Sequence, residues 1–378
     1  MIVRLILTVA FAVLCNAPLS AGESNMLYFV TGKGPEDSGI YRAEFDPETG
    51  KFGKLELARK TQASASIAFS PDGKYIYTCG TSNIKIEKGS SACAYRIQDD
   101  GTLELLNELT TGGAGPCYIE TTADGKFALV ANYSGGSAIA YSIADDGSLE
   151  KQIFFEQYEG ASKADPKRQE KAHAHQFREI PGTDTLIVND LGTDKIMIYH
   201  LDRKAKSITP GKTPYVSTKP GDGPRHIDFL KLKSHIVCYG LNELASTLTT
   251  YHLRDGNIEV GKTVPMLPAD YKKQNTAAEV RVHPNGKFVY ATNRGHNSIA
   301  VYSVDSETGE LTFVEREPTG GDHCRHFQFD PTRKFMLVAN QNGGPIVVKT
   351  ISDKDGSLTD TGETLDLNGV GCSRFRPE

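Results

Sequence analysis

Histidine, arginine and glutamate recur in this chain at the ends of short apolar segments, where a structural strand needs only β-branched filler. The set comprises Cys117 and Tyr118, His173 and His175, Arg225 and His226, Glu243, Glu279, Asn293, Arg294 and His296, and Cys324, Arg325 and His326. Guanidinium groups pair with carboxylates and phosphates, while imidazoles and carboxylates move protons near neutral pH. Gathered on one concave surface, these residues would bind a small anion and activate water against it. Singly, each has a plainer reading. Glu279 can pair with Arg281 along one strand face, His323 and His326 can be hydrogen-bonding groups between sheets, and His283, before a turn proline, reads as a surface residue. The chemistry therefore depends on whether the fold brings the set together.

An internal repeat supplies the fold. An apolar strand entered from a tight turn recurs as NMLYFVTG (25–32), SPDGKYIYTCG (70–80), TADGKFALVAN (122–132), GTDTLIVND (182–190), KSHIVCYGLNE (233–243), HPNGKFVYATN (283–293) and DPTRKFMLVAN (330–340). Asp-Gly or Asn-Gly pairs at 72–73, 124–125 and 285–286 mark hairpins, because these residues accept positive φ. A second alternating strand follows each, with matching positions at Tyr41, Tyr95, Tyr141, Tyr199, Tyr251, Tyr302 and Lys349, spaced 46 to 58 residues apart. Seven such units predict an all-β, seven-bladed β-propeller spanning residues 23–378. Six segments open a blade: ASIAF, GPCYIE, AHAHQF, GPRHIDF, AAEVRV and HCRHFQF. The seventh opener is missing at the N-terminus, and GVGCSRFRP (369–377) is expected to supply it, so that N- and C-terminal strands pair and close the ring.

In an antiparallel meander the start of the first strand and the end of the second share a rim. That rule collects the residues named above around one mouth of the central channel. The charged segment 156–172, before His173, reads as a solvated loop placed to act as a lid, and 261–276 as another.

Composition removes several classes. The 378 residues, 38% hydrophobic and 24% charged, suit a globular chain rather than a disordered or multi-span one. A net charge of −5 without a Lys/Arg run argues against nucleic acid as a partner, and no segment is long enough to span a membrane. The absence of Trp removes the WD-repeat signature. Residues 1–22 read as a secretory signal, with Arg4, an apolar run from Leu5 to Leu14 and small residues at Ala17, Ser20, Ala21 and Gly22; the mature protein is then secreted or periplasmic. Export permits disulfides, and Cys79 with Cys93, on neighbouring strands, is the expected bridge; the other four mature cysteines read as small buried apolar residues. Asn132-Tyr-Ser is the lone glycosylation sequon. Nothing in the sequence fixes an oligomeric state.

The segments RQEKAHAHQF, VNDLGTDKIMIYHLD, PGDGPRHIDF, GLNELASTLTTY, AAEVRVHPNGKFVYATNRGHNSIAVYSVD and RHFQFDPTRKFMLVAN together resemble the lactonase family of seven-bladed propellers, which includes 6-phosphogluconolactonases and a fungal carboxymuconate cyclase. The resemblance covers essentially the whole mature chain. It implies a cofactor-free and metal-free site built from a histidine, His173 or His175, two arginines, Arg225 and Arg294, and Glu243. His226, Asn293, His296 and Arg325, with His173, are then expected to hold substrate, and Glu243 or His175 to activate water. The chain departs from the pattern where Tyr118 stands in place of a histidine. The expected function is metal-independent hydrolysis of a small anionic, sugar-acid lactone. The alternatives are an exported propeller that binds a carbohydrate acid or a protein without turnover, and a lactone-forming cyclase acting on a muconate.

Overall fold

The hairpin pairs do close turns. Gly73, Gly125 and Gly286 have φ of 64°, 69° and 72°. Their N–H groups donate to the carbonyls of Ser70, Thr122 and His283 at 3.0, 2.8 and 2.8 Å. Asp72, Asp124 and Asn285 accept from the N–H two residues later, fixing each turn with its own side chain. From such turns the computed structural model builds seven antiparallel sheets, and it describes residues 25–32, 38–62, 64–82, 89–254 and 257–377. The proposed signal segment lies outside the described residues.

The sheets are the blades of a seven-bladed β-propeller. Blade I pairs Val370–Phe375 with Asn25–Thr31, in a register that sets Tyr28 opposite Arg374 and Phe29 opposite Ser373, so the last described strand completes the first described sheet. The inner strands of blades II to VII are Ser64–Phe69, Pro116–Thr121, Ala174–Glu179, Pro224–Lys231, Thr276–Val282 and Asp322–Phe329.

The blades adhere through apolar faces. Seven buried clusters lie among the described residues, each shared by two neighbouring blades, including Leu27, Phe45, Leu337 and Val348 between blades VII and I. Polar staples add direction. The hydroxyls of Tyr28, Tyr77, Tyr239 and Tyr290 donate to the carbonyls of Gly101, Gly147, Gly309 and Gly356 in the next blade at 2.7 to 3.0 Å.

Three sequence expectations change. Cys79 pairs in register with Ala92 and Cys93 with Thr78, so the two thiols point to opposite faces of blade II and enter different cores, and no disulfide joins them. His283 is buried rather than on the surface, its Nε2 3.1 Å from the carbonyl of Arg333 in blade VII. Asn132 of the sequon is fully buried, its amide donating to Thr111 O at 3.0 Å, which leaves no access for a glycan in the folded chain.

Candidate active site

The inner strands stack side chains in layers along the channel. The lowest charged layer holds Glu120, Arg178, Asp228, Arg281, Gln328 and Arg374, which occupy matching register positions opposite Leu129, Ile187, Tyr239, Tyr290, Leu337 and Tyr28. Arg178 bridges Glu120 at 2.7 Å and Asp228 at 3.1 Å, tying three blades across the channel floor. The layer above carries Tyr118, Gln176, His226, Glu279 and His326. At the upper rim stand His175, Arg225 and Arg325.

Glu243, just past the second strand of blade V, is buried between three arginines. Arg168 Nη2 lies 2.6 Å from its Oε1, while Arg225 Nε and Arg294 Nη2 lie 3.0 and 3.1 Å from its Oε2. These cations outweigh burial and hold the Glu243 carboxyl down at about 2. Burial and the neighbouring Arg294 and Arg325 bring Arg225 down to about 9. Backbone contacts fix the cluster: Glu243 N–H donates to Gly223 O at 2.7 Å, Ala277 N–H to Glu243 O at 2.9 Å, and Arg294 Nη2 to Ala277 O at 2.8 Å. A carboxylate so neutralised is a poor proton acceptor. Its evident effect is to hold three guanidiniums on one side of the mouth.

His175 of the rim and His226 of the layer beneath it stand close, their ring centroids 4.8 Å apart. His175 is buried and neither ring nitrogen has a hydrogen-bond partner among the described residues. Burial and the nearby Arg225, His226, Arg325 and Arg294 push its pKa well below the ordinary histidine range. His226 faces Glu279, Nδ1 to Oε1 3.1 Å, and its Nε2 is buried without a partner among the described residues. Both rings border a cavity of about 20 Å³, room for one water molecule, together with Tyr118, Arg225, Glu279 and Arg325. Arg325 also lines a wider cavity of about 500 Å³ that opens at the mouth beside Ser64, Thr81, Ser90, Pro116 and Gln341. No hydrogen bond or ion pair engages its guanidinium among the described residues. Nor is any group of three or more His, Cys, Asp or Glu side chains there arranged to hold a metal ion.

Residues 26–375 match the family described as Lactonase, 7-bladed beta-propeller. The chain belongs to this lactonase family. It is 32% identical to a 6-phosphogluconolactonase of Formosa agariphila over 342 residues, covering 88% of this chain and 94% of that protein. It is 31% identical to a 6-phosphogluconolactonase of Bacillus subtilis, covering 89% and 94%. Among solved structures, the periplasmic gluconolactonase of Pseudomonas aeruginosa superposes with a TM-score of 0.86 at 27% identity, covering 94% of this chain and 99% of that one.

Within this lactonase-family scaffold the residues named from sequence divide. Arg225, Glu243 and Arg294 are in direct contact, and His175, His226 and Arg325 share one small cavity. His173 differs from expectation: Nδ1 lies 3.0 Å from Tyr133 O and Nε2 3.0 Å from Glu170 Oε1, so the ring, stacked on Tyr133, has no free nitrogen for substrate. Asn293 is fully buried, its amide bonded to Asn275 and Ser298, a turn lock like Asn132, Asn242 and Asn340 at the same point of other blades. His296 packs against Tyr271, with Nδ1 2.7 Å from Ser298 Oγ.

Arg168 was missed by sequence reasoning. It lies in the segment read as a solvated lid, and that segment is pinned. Buried Gln169 donates to Leu191 O at 2.8 Å, and Asp165 accepts from the N–H groups of Lys167 and Arg168. The DLGTD turn is the anchor. Asp190 accepts from His173 N–H at 2.7 Å, and Asp194 accepts from Gly223 N–H at 2.7 Å, so one turn positions both the His175 and the Arg225 strands. The second suggested lid is held likewise, Arg316 donating to Met266 O at 2.7 Å.

Proposed function

We propose that this protein hydrolyses a small anionic lactone of the sugar-acid type, without a metal ion, outside the cytoplasm. The observation that carries the reading is a one-water cavity between two uncharged imidazoles, walled by Arg225 and Arg325 and opening toward a wider mouth. Hydrolysis needs a base for water, positive charge facing the developing oxyanion, and a proton for the departing ring oxygen. An imidazole of the pit, His175 or His226, takes the water's proton. Arg225 faces the carbonyl oxygen, and Arg325, which has no ion pair among the described residues, takes the substrate's carboxylate or phosphate. Glu243 keeps Arg168, Arg225 and Arg294 in place. Four guanidiniums supply the charge that a Lewis acid would otherwise provide.

The relatives named 6-phosphogluconolactonase and gluconolactonase support a sugar-acid lactone. The signal-like residues 1–22 and a structural relative described as periplasmic support export. The test is a panel of phosphorylated and unphosphorylated aldonolactones with a pH indicator, run with enzyme dialysed against EDTA. Acid release above the spontaneous rate, unaltered by EDTA, is expected. Thermal stabilisation by the open acids without acid release would replace this reading with the binding one, and consumption of a muconate chromophore would replace it with the cyclase. Fractionation and N-terminal sequencing of the mature chain test export.

A further inference from the structure

Two imidazoles border the water-sized cavity, and the hydrolytic reading does not say which one carries the proton. We propose that His226, oriented by Glu279, is the acid–base residue, and that His175 is an uncharged hydrogen-bonding group for the water or the lactone carbonyl. The inference rests on the hydrolytic reading above and deepens it.

The surroundings of the two rings differ. An imidazole that accepts the water's proton becomes an imidazolium until the ring oxygen takes that proton back. His175 stands among Arg225, Arg294 and Arg325 with no carboxylate in contact among the described residues. Burial and Arg225, Arg281, Arg325 and Arg178 push the pKa of His226 down as well, so the difference between the rings is the carboxylate and not the arginines. His226 has a carboxylate behind it. Glu279 accepts from Nδ1–H at 3.1 Å, which selects the tautomer with a lone pair on Nε2, and Nε2 is buried without a hydrogen-bond partner among the described residues. This is the arrangement in which a carboxylate orients an imidazole and stabilises its cation.

Glu279 is itself fixed. Its N–H donates to Thr292 Oγ1 at 3.0 Å, and Arg281 Nε lies 3.7 Å from Oε1. His326 approaches Oε2 at 3.6 Å, but its Nε2 accepts from Arg281 Nη2 at 3.0 Å and has no proton to offer the carboxylate. The Glu279 charge is thus directed to His226 and Arg281. Tyr118, standing where the family pattern has a histidine, packs edge-on against His226 at 5.4 Å and closes the far side of the ring.

The step balances. Water bonds to the carbonyl carbon as its proton passes to His226 Nε2, and the carbonyl π pair moves to the oxygen facing Arg225. The pair returns, the ring C–O bond breaks, and the alkoxide takes the proton from Nε2. The hydroxy acid then ionises to solvent.

The experiment compares His226→Asn, His175→Asn and Glu279→Gln, with melting temperature recorded for each. His226→Asn is expected to lower kcat by about 10²- to 10⁴-fold with little change in KM. His175→Asn is expected to raise KM more than it lowers kcat. Glu279, which acts through His226, is tested as a positioning residue: Glu279→Gln should lower kcat and move the acid limb of the pH–rate profile to lower pH. The other groups facing His226 are Arg178 and His175 from blade IV, Arg225 on its own strand, Arg281 from blade VI, Arg325 and His326 from blade VII, and Tyr118 from blade III. None of them changes in that variant.

Selective ¹⁵N-histidine spectra give a readout apart from turnover, with the Nδ1–H tautomer of His226 expected in the wild type and lost in Glu279→Gln. A near-normal rate in His226→Asn beside an inactive His175→Asn, or an Nε2–H tautomer in the wild type, overturns the dyad while leaving the lactonase reading intact. A wild-type protein inert on every lactone removes both. Should His226→Asn fail to fold, the Glu279→Gln profile and the spectra still decide.

Discussion

At the residue scale, the mouth separates arginines that share a carboxylate from one that does not. Arg168, Arg225 and Arg294 share Glu243, whereas Arg325 lines the wider cavity with no ion pair among the described residues. Replacing Arg325 by Ala is therefore expected to raise KM about 10- to 100-fold, the worth of one charge-assisted hydrogen bond, with melting temperature unchanged. Initial-rate kinetics and a thermal melt check this. Glu243→Ala should behave in the opposite way. It leaves three cations in or beside a buried site, so chemical denaturation should show a loss of about 3–5 kcal/mol as well as lost activity. The convergence of Arg225, Glu243, Arg294, His175 and Arg325 on one mouth was legible because each sits in or just beyond a repeated strand at the same end. Arg168 was not, because it lies in a unique, charge-rich loop whose path is set by contacts with the turn after Asp190. His173 and Asn293 turn out engaged by the protein itself, which sequence could not show: it places a polar group near the mouth but not the neighbours that already bind it.

At the scale of the element, the turn at 190–194 couples loop to strand. Gly192 leaves room for the chain that leads to His173, since a Cβ there would stand 1.8 Å from the carbonyl oxygen of Lys171. Gly192→Ala must displace that segment and with it Arg168. A several-fold fall in kcat/KM is expected, along with protease sensitivity near 160–171, read by limited proteolysis. The strands themselves were legible from alternation and from turn residues whose φ is chemically determined. The cysteine bridge was not, because a shift of one residue in register moves a side chain to the other face, and sequence does not fix register that finely.

For the whole molecule, closing seven sheets into a ring sets buried histidines among arginines. His175, His226 and His326 are all held uncharged, their pKa values well below the usual 6.5. The unfolded chain binds protons at these sites below about pH 6.5 and the native chain does not. Stability is therefore full above that pH and falls as pH drops beneath it, by up to about 4 kcal/mol per pH unit for three protons. The Glu243 carboxyl, lowered from 4.5 to about 2, contributes stability above pH 4.5 that is lost as pH falls toward 2. Urea midpoints measured from pH 7.5 to 5 should fall with the steepness of more than one proton; a flat profile would contradict the buried neutral histidines.

The pairing of Val370–Phe375 with Asn25–Thr31 also bears on biogenesis. The stretch that seals the first sheet is made more than 300 residues after the strand it pairs with. Until it emerges, the opening blade keeps a bare edge, and the channel lacks one of its seven innermost walls. A chain whose first sheet waits for a strand made so much later is held back from premature closure during synthesis, and loss of residues 370–375 would open the ring.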